Sequence, residues 1–293
     1  MATGQIRKAL SGYYYVEHEG QLIQCRGRGI FRNRNESPLV GDKVEYTYDG
    51  HSDGTIDKIH ARKNELIRPP IVNIDQAILV FSATEPAFSP ILLDRFLVVV
   101  ESYEVKPIIC ISKIDLLTIE EERQLQVYID YYKQVGYAVL TTYKDDPSLK
   151  NRMAPFLKDK TTTLAGQSGV GKSTLLNTLL PKLNLQTNVI SQSLGRGKHT
   201  TRHVELIEVC EGLLADTPGF SSLEFDTIEK EELTLYFPEL LQESEHCKFR
   251  GCLHVKEPKC AVKKAVEDGT IALHRYEHYQ QFLQEIMERK PRY

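Results

Sequence analysis

The 293-residue chain contains 41% apolar and 26% charged residues, a composition typical of folded globular proteins, so global disorder is excluded. Its longest apolar run, around Phe96–Val100, is far shorter than the ~18–20 residues that cross a bilayer. Its first residues lack the apolar core of a cleaved signal peptide. Both observations indicate a soluble, cytoplasmic protein. The net charge of −3 predicts no particular partner, although residues 1–68 and 243–293 each carry a net +2 around an acidic centre.

The first 68 residues have the pattern of an all-β unit. Short alternating or β-branched runs are separated by Gly and Asp turns at about ten-residue spacing, which predicts a small barrel or a sandwich. The predicted strands are Gly12–Val16, Gln21–Cys25, Lys43–Tyr48 and Thr55–Ile59. The arginine-rich segment from Arg26 to Arg34 is predicted to be a loop, and Arg68-Pro69-Pro70 predicts a linker that ends the unit.

From Ile74 onward, predicted strands alternate with predicted helices. Ser89 and Pro90 are residue types preferred at the N-cap and first position of a helix, which is expected to end near Tyr103. The alternation predicts a parallel α/β sheet. Its predicted strands are Ile74–Ala83, Pro107–Ile111, Tyr137–Thr141 and Thr161–Ala165.

Two more helices are predicted. Thr118 and Glu121 have the spacing of a capping box and predict a helix that ends before Gly136. After Phe220 the sequence becomes polar and helical in pattern, with a last helix predicted from about Thr270 to Arg289. A mostly helical C-terminal part is therefore expected.

The strongest motif is Gly-x-x-x-x-Gly-Lys-Ser at residues 166–173, between the strand Thr161–Ala165 and a helix predicted from Lys172 to Leu180. Glycines let backbone N–H groups wrap around phosphates at the positive end of a helix. Lys172 is expected to reach the β- and γ-phosphates and to act in catalysis, and the Ser173 hydroxyl to bind Mg²⁺. The predicted nucleotide contacts here are Gly166, Gln167, Ser168, Gly169, Val170, Gly171, Lys172, Ser173 and Thr174.

A second motif, Asp216-Thr-Pro-Gly219, follows the apolar run Leu213–Ala215. An aspartate at a strand end beside a phosphate-binding loop can hold Mg²⁺ through water, and the N–H of the following glycine can contact the γ-phosphate. We therefore predict a magnesium role for Asp216 and a nucleotide contact for Gly219.

A glycine-rich, basic segment at residues 195–202 lies between these two motifs. It is predicted to bring a threonine hydroxyl to Mg²⁺, with the choice between Thr200 and Thr201 left open. His199 in the same segment is predicted to approach the attacking water and to act in catalysis.

A fourth motif, Ser112-Lys113-Ile114-Asp115, closes the predicted strand Pro107–Ile111. The Asp115 carboxylate can accept hydrogen bonds from the N1–H and the exocyclic amine of guanine, whereas adenine would leave it unpaired. The Lys113 stem is expected to pack along the purine. Ser112, Lys113 and Asp115 therefore predict that the nucleotide is GTP or GDP.

The order of these motifs is unusual. In ordinary GTPases the base-reading motif follows the phosphate loop, whereas here it precedes Gly166. Because such sites are built from loops at the C-terminal ends of parallel strands, their arrangement in space does not depend on chain order. The sequence therefore predicts a circularly permuted P-loop GTPase.

Three cysteines and a histidine cluster near the C-terminus. The spacing Cys247-x4-Cys252-x-His254-x5-Cys260 supplies a complete tetrahedral Zn²⁺ set. With no open coordination position evident, the zinc is predicted to be structural and to stabilise a region that has few large apolar residues.

Taken together, these motifs resemble those of the RsgA family, circularly permuted GTPases that depend on the small ribosomal subunit. The resemblance covers nearly the whole chain and implies a multidomain α/β protein: an N-terminal OB-type β-barrel (1–68), a GTPase domain (71–222) and a zinc-binding, mostly helical C-terminal domain (223–293). It also implies slow GTP hydrolysis that the 30S subunit accelerates during late maturation of that subunit. A monomer without membrane association is expected.

The resemblance also implies roles for individual residues. Phe220 follows Gly219 where many GTPases have a water-positioning Gln, and the resemblance suggests that His199 substitutes for it. The family's base-reading motif usually begins with Asn, whereas this chain has Ser112 at that position.

An OB-type barrel is suited to RNA, and we predict that four arginines contact 16S rRNA phosphates. They are Arg26, Arg28, Arg32 and Arg34.

Two other functions remain open on the sequence alone. One is a P-loop ATPase or kinase in which the Ser112–Asp115 motif is accidental, and a comparison of GTP and ATP affinities separates it from a GTPase. The other is an RNA-binding scaffold that does not turn its nucleotide over, which Phe220 keeps open.

Overall fold

A computed structural model describes residues 2–33, 36–67, 69–181, 204–216, 220 and 223–289, without the side chains of Arg32 and Asn33. Its N-terminal part is a closed five-stranded barrel in which each strand pairs with two others in the order β1-β2-β3-β5-β4 and back to β1. All barrel pairings are antiparallel except that of β3 with β5. The strands are β1 Ala2–Leu10, β2 Tyr13–His18, β3 Gln21–Gly27, β4 Lys43–Thr47 and β5 Gly54–Ile59.

Each strand of the barrel contributes to one apolar core. Ile6, Val16, Cys25, Val44 and Ile56 are fully buried, and they come one from each of the five strands. Of the two shapes that the sequence left open, the barrel is therefore correct, and the OB-type barrel implied by the family resemblance is confirmed.

The middle of the chain forms a mostly parallel sheet. Strands β8 to β11 and β13 run parallel in the order β10-β9-β8-β11-β13, and β12 joins β13 in antiparallel orientation. A short hairpin of β6 and β7 connects the barrel to this sheet. The strands are β6 Glu65–Leu66, β7 Ile71–Val72, β8 Gln76–Ser82, β9 Lys106–Ser112, β10 Ala138–Thr141, β11 Thr161–Ala165, β12 Val204–Val209 and β13 Gly212–Ala215.

Helices cover both faces of the sheet, as continuous apolar strands require. On β8, alternate residues face opposite sides: Ala77 and Leu79 belong to one apolar core, and Ile78 and Val80 to the other. The described helices are α1 Ile30–Asn33, α2 Pro90–Ser102, α3 Ile119–Val135, α4 Leu149–Leu157, α5 Lys172–Leu179, α6 Pro238–Ser244, α7 Ala261–Glu267 and α8 Leu273–Glu288. None of the helices in the described part of the chain is long and apolar enough to cross a membrane.

The predicted helix caps are confirmed. The Ser89 hydroxyl accepts a hydrogen bond from the Leu92 amide at the start of α2. At the start of α3, Thr118 and Glu121 form the reciprocal capping box, and Gly136 ends the helix in a left-handed conformation. These ends could be predicted because each depends on residues a few positions apart.

One expectation needs correction, and some elements were not predicted. The segment from Arg26 to Arg34 is not a single loop, because β3 continues to Gly27 and α1 begins at Ile30. Strand β1 was not predicted, since its apolar and polar residues alternate poorly. Helix α4 was also missed, and its internal Pro155 is a residue that normally argues against a helix.

A buried ionic cluster joins the C-terminal helices to the sheet-covering helix α2. Arg275 in α8 lies 2.5 Å from Asp94 in α2 and 2.5 Å from Glu239 in α6, and the Arg275 and Asp94 side chains have no exposed surface. Tyr132 donates a hydrogen bond to Asp94 at 2.5 Å, and His278 Nδ1 lies 2.5 Å from the same carboxylate. The C-terminal part is thereby fixed to α2 and α3.

Replacing Asp94 by Ala should lower the free energy of unfolding by about 3–5 kcal/mol, because it leaves part of a buried guanidinium charge uncompensated. Urea unfolding followed by circular dichroism measures the change. The exposed Arg123 pairs with Glu120 at 3.9 Å, and Arg123→Ala is a control expected to cost less than about 1 kcal/mol. A similarly small effect of Asp94→Ala would show that the cluster does not hold these helices together.

Candidate nucleotide site and metal cluster

The predicted phosphate loop lies between β11 and α5. Gly166 has φ 137°, and a Cβ atom there would lie 2.2 Å from the Val80 carbonyl oxygen, so only glycine fits this close approach to β8. Gly171 has φ 97° and is the N-cap of α5. The loop therefore packs against β8 and leads into the N-terminus of α5. The positive end of the helix dipole lies there, as phosphate binding requires.

Lys172 packs against the predicted phosphate loop. Its side chain is buried, and its Nζ atom donates hydrogen bonds to the carbonyl oxygens of Gly166, at 2.8 Å, and Gln167. Burial lowers the pKa of Lys172 to about 8, because the charged form loses hydration. The Lys172 ammonium group therefore lies where a bound phosphate would give it a negatively charged partner.

This pKa makes nucleotide binding depend on pH. Bound phosphates favour the charged form of Lys172, so its pKa rises on binding, and binding must take up a proton when the pH exceeds about 8. We expect the affinity for GDP to fall about fourfold between pH 7 and pH 8.5, measured by isothermal titration calorimetry. Lys172→Arg, which stays charged throughout, should bind more weakly but without this pH dependence. An unchanged wild-type affinity over the same range would contradict the assignment.

A cavity of about 250 Å³ lies beside the phosphate loop. Asp115 is exposed at this cavity, on the short 3-10 turn Ile114–Leu116 that follows β9. Lys113, with φ 60°, also lines it and donates a hydrogen bond to the Glu85 carbonyl oxygen. The structure therefore brings the predicted base-reading residues next to the phosphate loop, and Thr174 of α5 lines the same cavity.

Sequence reasoning missed one wall of this cavity. Thr142, Tyr143 and Lys144 follow β10 and line it. The Thr142 amide donates to the Ile111 carbonyl oxygen at 2.8 Å, which ties this segment to the Ser112–Asp115 motif. The available signal was their position directly after a predicted strand next to β9, where loops of a parallel sheet form binding sites.

Ser112 connects the base-reading motif to the phosphate loop. Its buried hydroxyl lies 2.6 Å from the Val170 carbonyl oxygen in the loop and 3.1 Å from the Phe81 carbonyl oxygen at the end of β8. The shorter side chain found here in place of the family's usual Asn therefore still reaches the loop. In this chain Ser112 holds the two halves of the cavity together.

Asp216 lies at the end of β13, next to the strand that leads into the phosphate loop. The pairing of Thr162 with Leu214 brings the C-terminal ends of β11 and β13 to the same edge of the sheet. One Asp216 carboxylate oxygen accepts a hydrogen bond from the Glu205 amide at 2.9 Å. Ser173, in the first turn of α5, is the other described residue predicted to bind Mg²⁺.

Several predicted residues lie outside the described part of the chain: His199, Thr200, Thr201 and Gly219. Phe220 is described, and it is buried with its ring centroid 5.8 Å from that of Tyr103. A side chain committed to this apolar contact does not orient water.

The predicted zinc ligands come together. The ligand atoms of Cys247, Cys252, His254 and Cys260 all lie within 4.8 Å of one another. A tetrahedral site with Zn–S of about 2.3 Å and Zn–N of about 2.05 Å has S···S and S···N edges of about 3.8 and 3.6 Å. The Cys247–Cys260 sulfur separation is 3.8 Å, and His254 Nδ1 lies 3.6 Å from Cys247 Sγ and 3.3 Å from Cys260 Sγ. The four residues therefore fit one metal ion.

Neighbouring residues orient the loop that carries the cluster. Burial lowers the pKa of His254, which favours the neutral imidazole that binds metals. The Tyr276 hydroxyl donates to the His254 carbonyl oxygen at 2.6 Å, and the Glu257 carboxylate accepts from the Leu253 and Val255 amides at 2.9 Å each. Such outer contacts fix the orientation of a metal-binding loop.

The predicted RNA-binding arginines are only partly described. Arg26 Nε lies 3.1 Å from Asp53 and Arg28 Nε lies 2.9 Å from Asp57, with more than half of each arginine side chain exposed. The Arg32 side chain and Arg34 lie outside the described residues. Phe31, in the same segment, is buried in the barrel core and presents no ring to solvent.

The predicted base-reading motif precedes the phosphate loop in the chain, and the two meet at one edge of the sheet. This arrangement defines a circularly permuted P-loop GTPase. Family models support the same class: the RsgA GTPase model matches residues 59–226 and the RsgA N-terminal domain model matches residues 3–56. The chain belongs to the RsgA family.

Relatives and solved structures agree with this membership. Proteins named "Small ribosomal subunit biogenesis GTPase RsgA" from Bacillus cytotoxicus and Bacillus subtilis are each 58% identical, over 293 and 299 residues, with full coverage of both chains. A crystal structure described as YloQ, a circularly permuted GTPase, is 54% identical with a TM-score of 0.88, covering 100% of this chain and 97% of that one. YjeQ from Thermotoga maritima is 38% identical with a TM-score of 0.88, covering 98% and 99%.

Proposed function

We propose that this protein is a GTPase that binds the small (30S) ribosomal subunit, assists its late maturation, and hydrolyses GTP to GDP and phosphate faster when the subunit is bound. The observation that carries the enzymatic part is the cavity in which Asp115 meets the phosphate loop, held by the Ser112–Val170 contact. The ribosomal part rests on full-length relatives whose names give that role.

In the proposed reaction, the loop amides and Lys172 bind the β- and γ-phosphates, while Asp115 accepts hydrogen bonds from guanine. Ser173 and Asp216, with Thr200 or Thr201, would hold Mg²⁺, which supplies neutralisation of the phosphate charge. Gly219 would contact the γ-phosphate. His199 would position the attacking water, a role that the buried Phe220 cannot take.

The Cys247, Cys252, His254 and Cys260 set would hold one structural Zn²⁺. Three thiolates and one imidazole are the soft and borderline ligands that this ion prefers, and four protein ligands leave no position for substrate.

We further propose that the chain is divided into an OB-type barrel (1–68), a GTPase domain (71–222) and a zinc-binding domain (223–293). The protein is proposed to be a cytoplasmic monomer without membrane association.

The barrel arginines are proposed to contact 16S rRNA phosphates. Replacing Arg26, Arg28, Arg32 and Arg34 together by Ala should weaken binding to purified small subunits and make it less sensitive to salt. The slope of log affinity against log salt concentration should become shallower by about 0.7–0.9 for each phosphate that an arginine no longer neutralises. Co-sedimentation at several salt concentrations measures this slope, with the exposed Arg123→Ala on α3 as a control. An unchanged slope in the quadruple variant would place the RNA-binding surface elsewhere.

A further inference from the structure

The first strand of the barrel is also a neighbour of the GTPase sheet. Ala2–Gln5 of β1 pair with β4 inside the barrel, whereas Lys8 and Ala9 pair with Glu205 and Val204 of β12. The register of β1 shifts between Ile6 and Lys8, so a bulge lies where the strand changes partner. Bulges redirect a strand in this way and aim side chains at new neighbours.

Charged side chains reinforce this junction. Lys8 Nζ donates to a Glu205 carboxylate oxygen at 3.0 Å, and both side chains are about one-third exposed or less. Arg7 Nη2 lies 3.7 Å from Glu208 on the same strand and also 3.7 Å from Glu17 on β2 of the barrel. Two consecutive cations of the barrel thus face two acids of β12, which favours this register of the two strands.

Glu205 is at the same time the backbone partner of Asp216. Its amide donates to Asp216 Oδ1 at 2.9 Å, and its carbonyl oxygen accepts from the Asp216 amide at 3.0 Å. The position of the Glu205 backbone therefore contributes to the orientation of the Asp216 carboxylate. Hydrogen-bond partners of this kind orient metal-binding carboxylates and influence metal affinity.

We propose that Glu205 is a positioning residue that holds Asp216 in its Mg²⁺-binding orientation and, through Lys8, couples the nucleotide site to the barrel. The inference rests on the proposed role of Asp216 in binding Mg²⁺. A ligand that shifts β1 would change the affinity for Mg²⁺ with GTP, and Mg²⁺ with GTP would change the affinity for that ligand by the same factor. The barrel thereby senses the nucleotide state through Lys8, Glu205 and Asp216.

Charge reversal tests the coupling in the full-length protein. Lys8→Glu places two carboxylates opposite each other and should raise the Mg²⁺ concentration for half-maximal GTP binding about three- to fivefold, as should Glu205→Lys. The double variant Lys8→Glu/Glu205→Lys restores an ion pair and should return to within about twofold of the wild type. GDP binding without Mg²⁺ should stay unchanged in all three. The readout is fluorescence of a labelled nucleotide during Mg²⁺ titration.

Two controls separate the possible failures. Lys58 pairs with Glu45 at 2.9 Å within the barrel, away from β12, and Lys58→Glu should leave the Mg²⁺ dependence unaltered. Asp216→Asn should raise the Mg²⁺ requirement strongly. If it does not, Asp216 does not bind Mg²⁺, and the proposed site and this inference both fail. If Asp216→Asn has its effect while the single charge reversals do not, or the double variant does not recover, the coupling alone is overturned.

Discussion

Replacing Asp115 by Asn is expected to lower the affinity for GTP by at least about a hundredfold and to increase the affinity for xanthosine triphosphate. In the proposed site the Asp115 carboxylate accepts two hydrogen bonds from guanine, each worth about 1.5–3 kcal/mol because the acceptor is charged. An amide presents an N–H group to the guanine N–H groups instead, whereas xanthine offers an oxygen at that position. The change acts on specificity because Asp115 lies at the cavity beside the phosphate loop.

Competition binding of GTP, xanthosine triphosphate and ATP to the variant measures this switch. Asp130→Asn is a matched control, because Asp130 is an exposed aspartate of α3 that accepts a hydrogen bond from Gln126. An Asp115 variant that binds GTP as the wild type does would show that this residue does not read the base. Equal affinity of the wild type for ATP and GTP would favour the P-loop ATPase alternative.

Replacing Cys252 by Ser is expected to release the metal and to unfold the region around the cluster. Structural zinc sites couple metal binding to folding, and their apparent binding free energies reach about 10–16 kcal/mol. The substitution should leave GTP binding largely intact, because the cavity is formed by the strands and helices between β8 and α5.

Metal analysis together with limited proteolysis measures both consequences. Cys210→Ser is the matched control, since Cys210 is a partly buried free cysteine outside the cluster. Undiminished zinc in the Cys252 variant would show that this thiol is not a ligand. Release of zinc without increased proteolysis of the C-terminal region would show that the metal does not stabilise it.

Features that depend on nearby residues could be predicted from the sequence. The phosphate loop needs glycines at fixed positions between a strand and a helix, and the α3 capping box needs two residues three positions apart. The cysteine and histidine cluster lies within a short segment, where ligand spacing alone indicates a tetrahedral set. In each case the residues that form the sequence pattern are the same residues that the local structure requires.

Contacts between distant parts of the chain could not be predicted in this way. Lys8 and Glu205 are 197 residues apart, and Asp94 and Arg275 are 181 residues apart. No periodicity or spacing links such residues, because their partners are chosen by the packing of whole elements. Strand β1 was missed for a related reason, since the bulge that redirects it towards β12 interrupts its alternation.

The proposed function depends most on the claim that GTP hydrolysis by this protein responds to the small ribosomal subunit. The most direct measurement is the rate of phosphate release from GTP as purified small subunits are added to a fixed amount of the protein. We expect a slow rate for the free protein and a saturable increase of at least about tenfold, because binding orients groups that would otherwise lose entropy in the transition state. A rate from GTP that stays constant up to subunit concentrations at which co-sedimentation shows complete binding would contradict the claim.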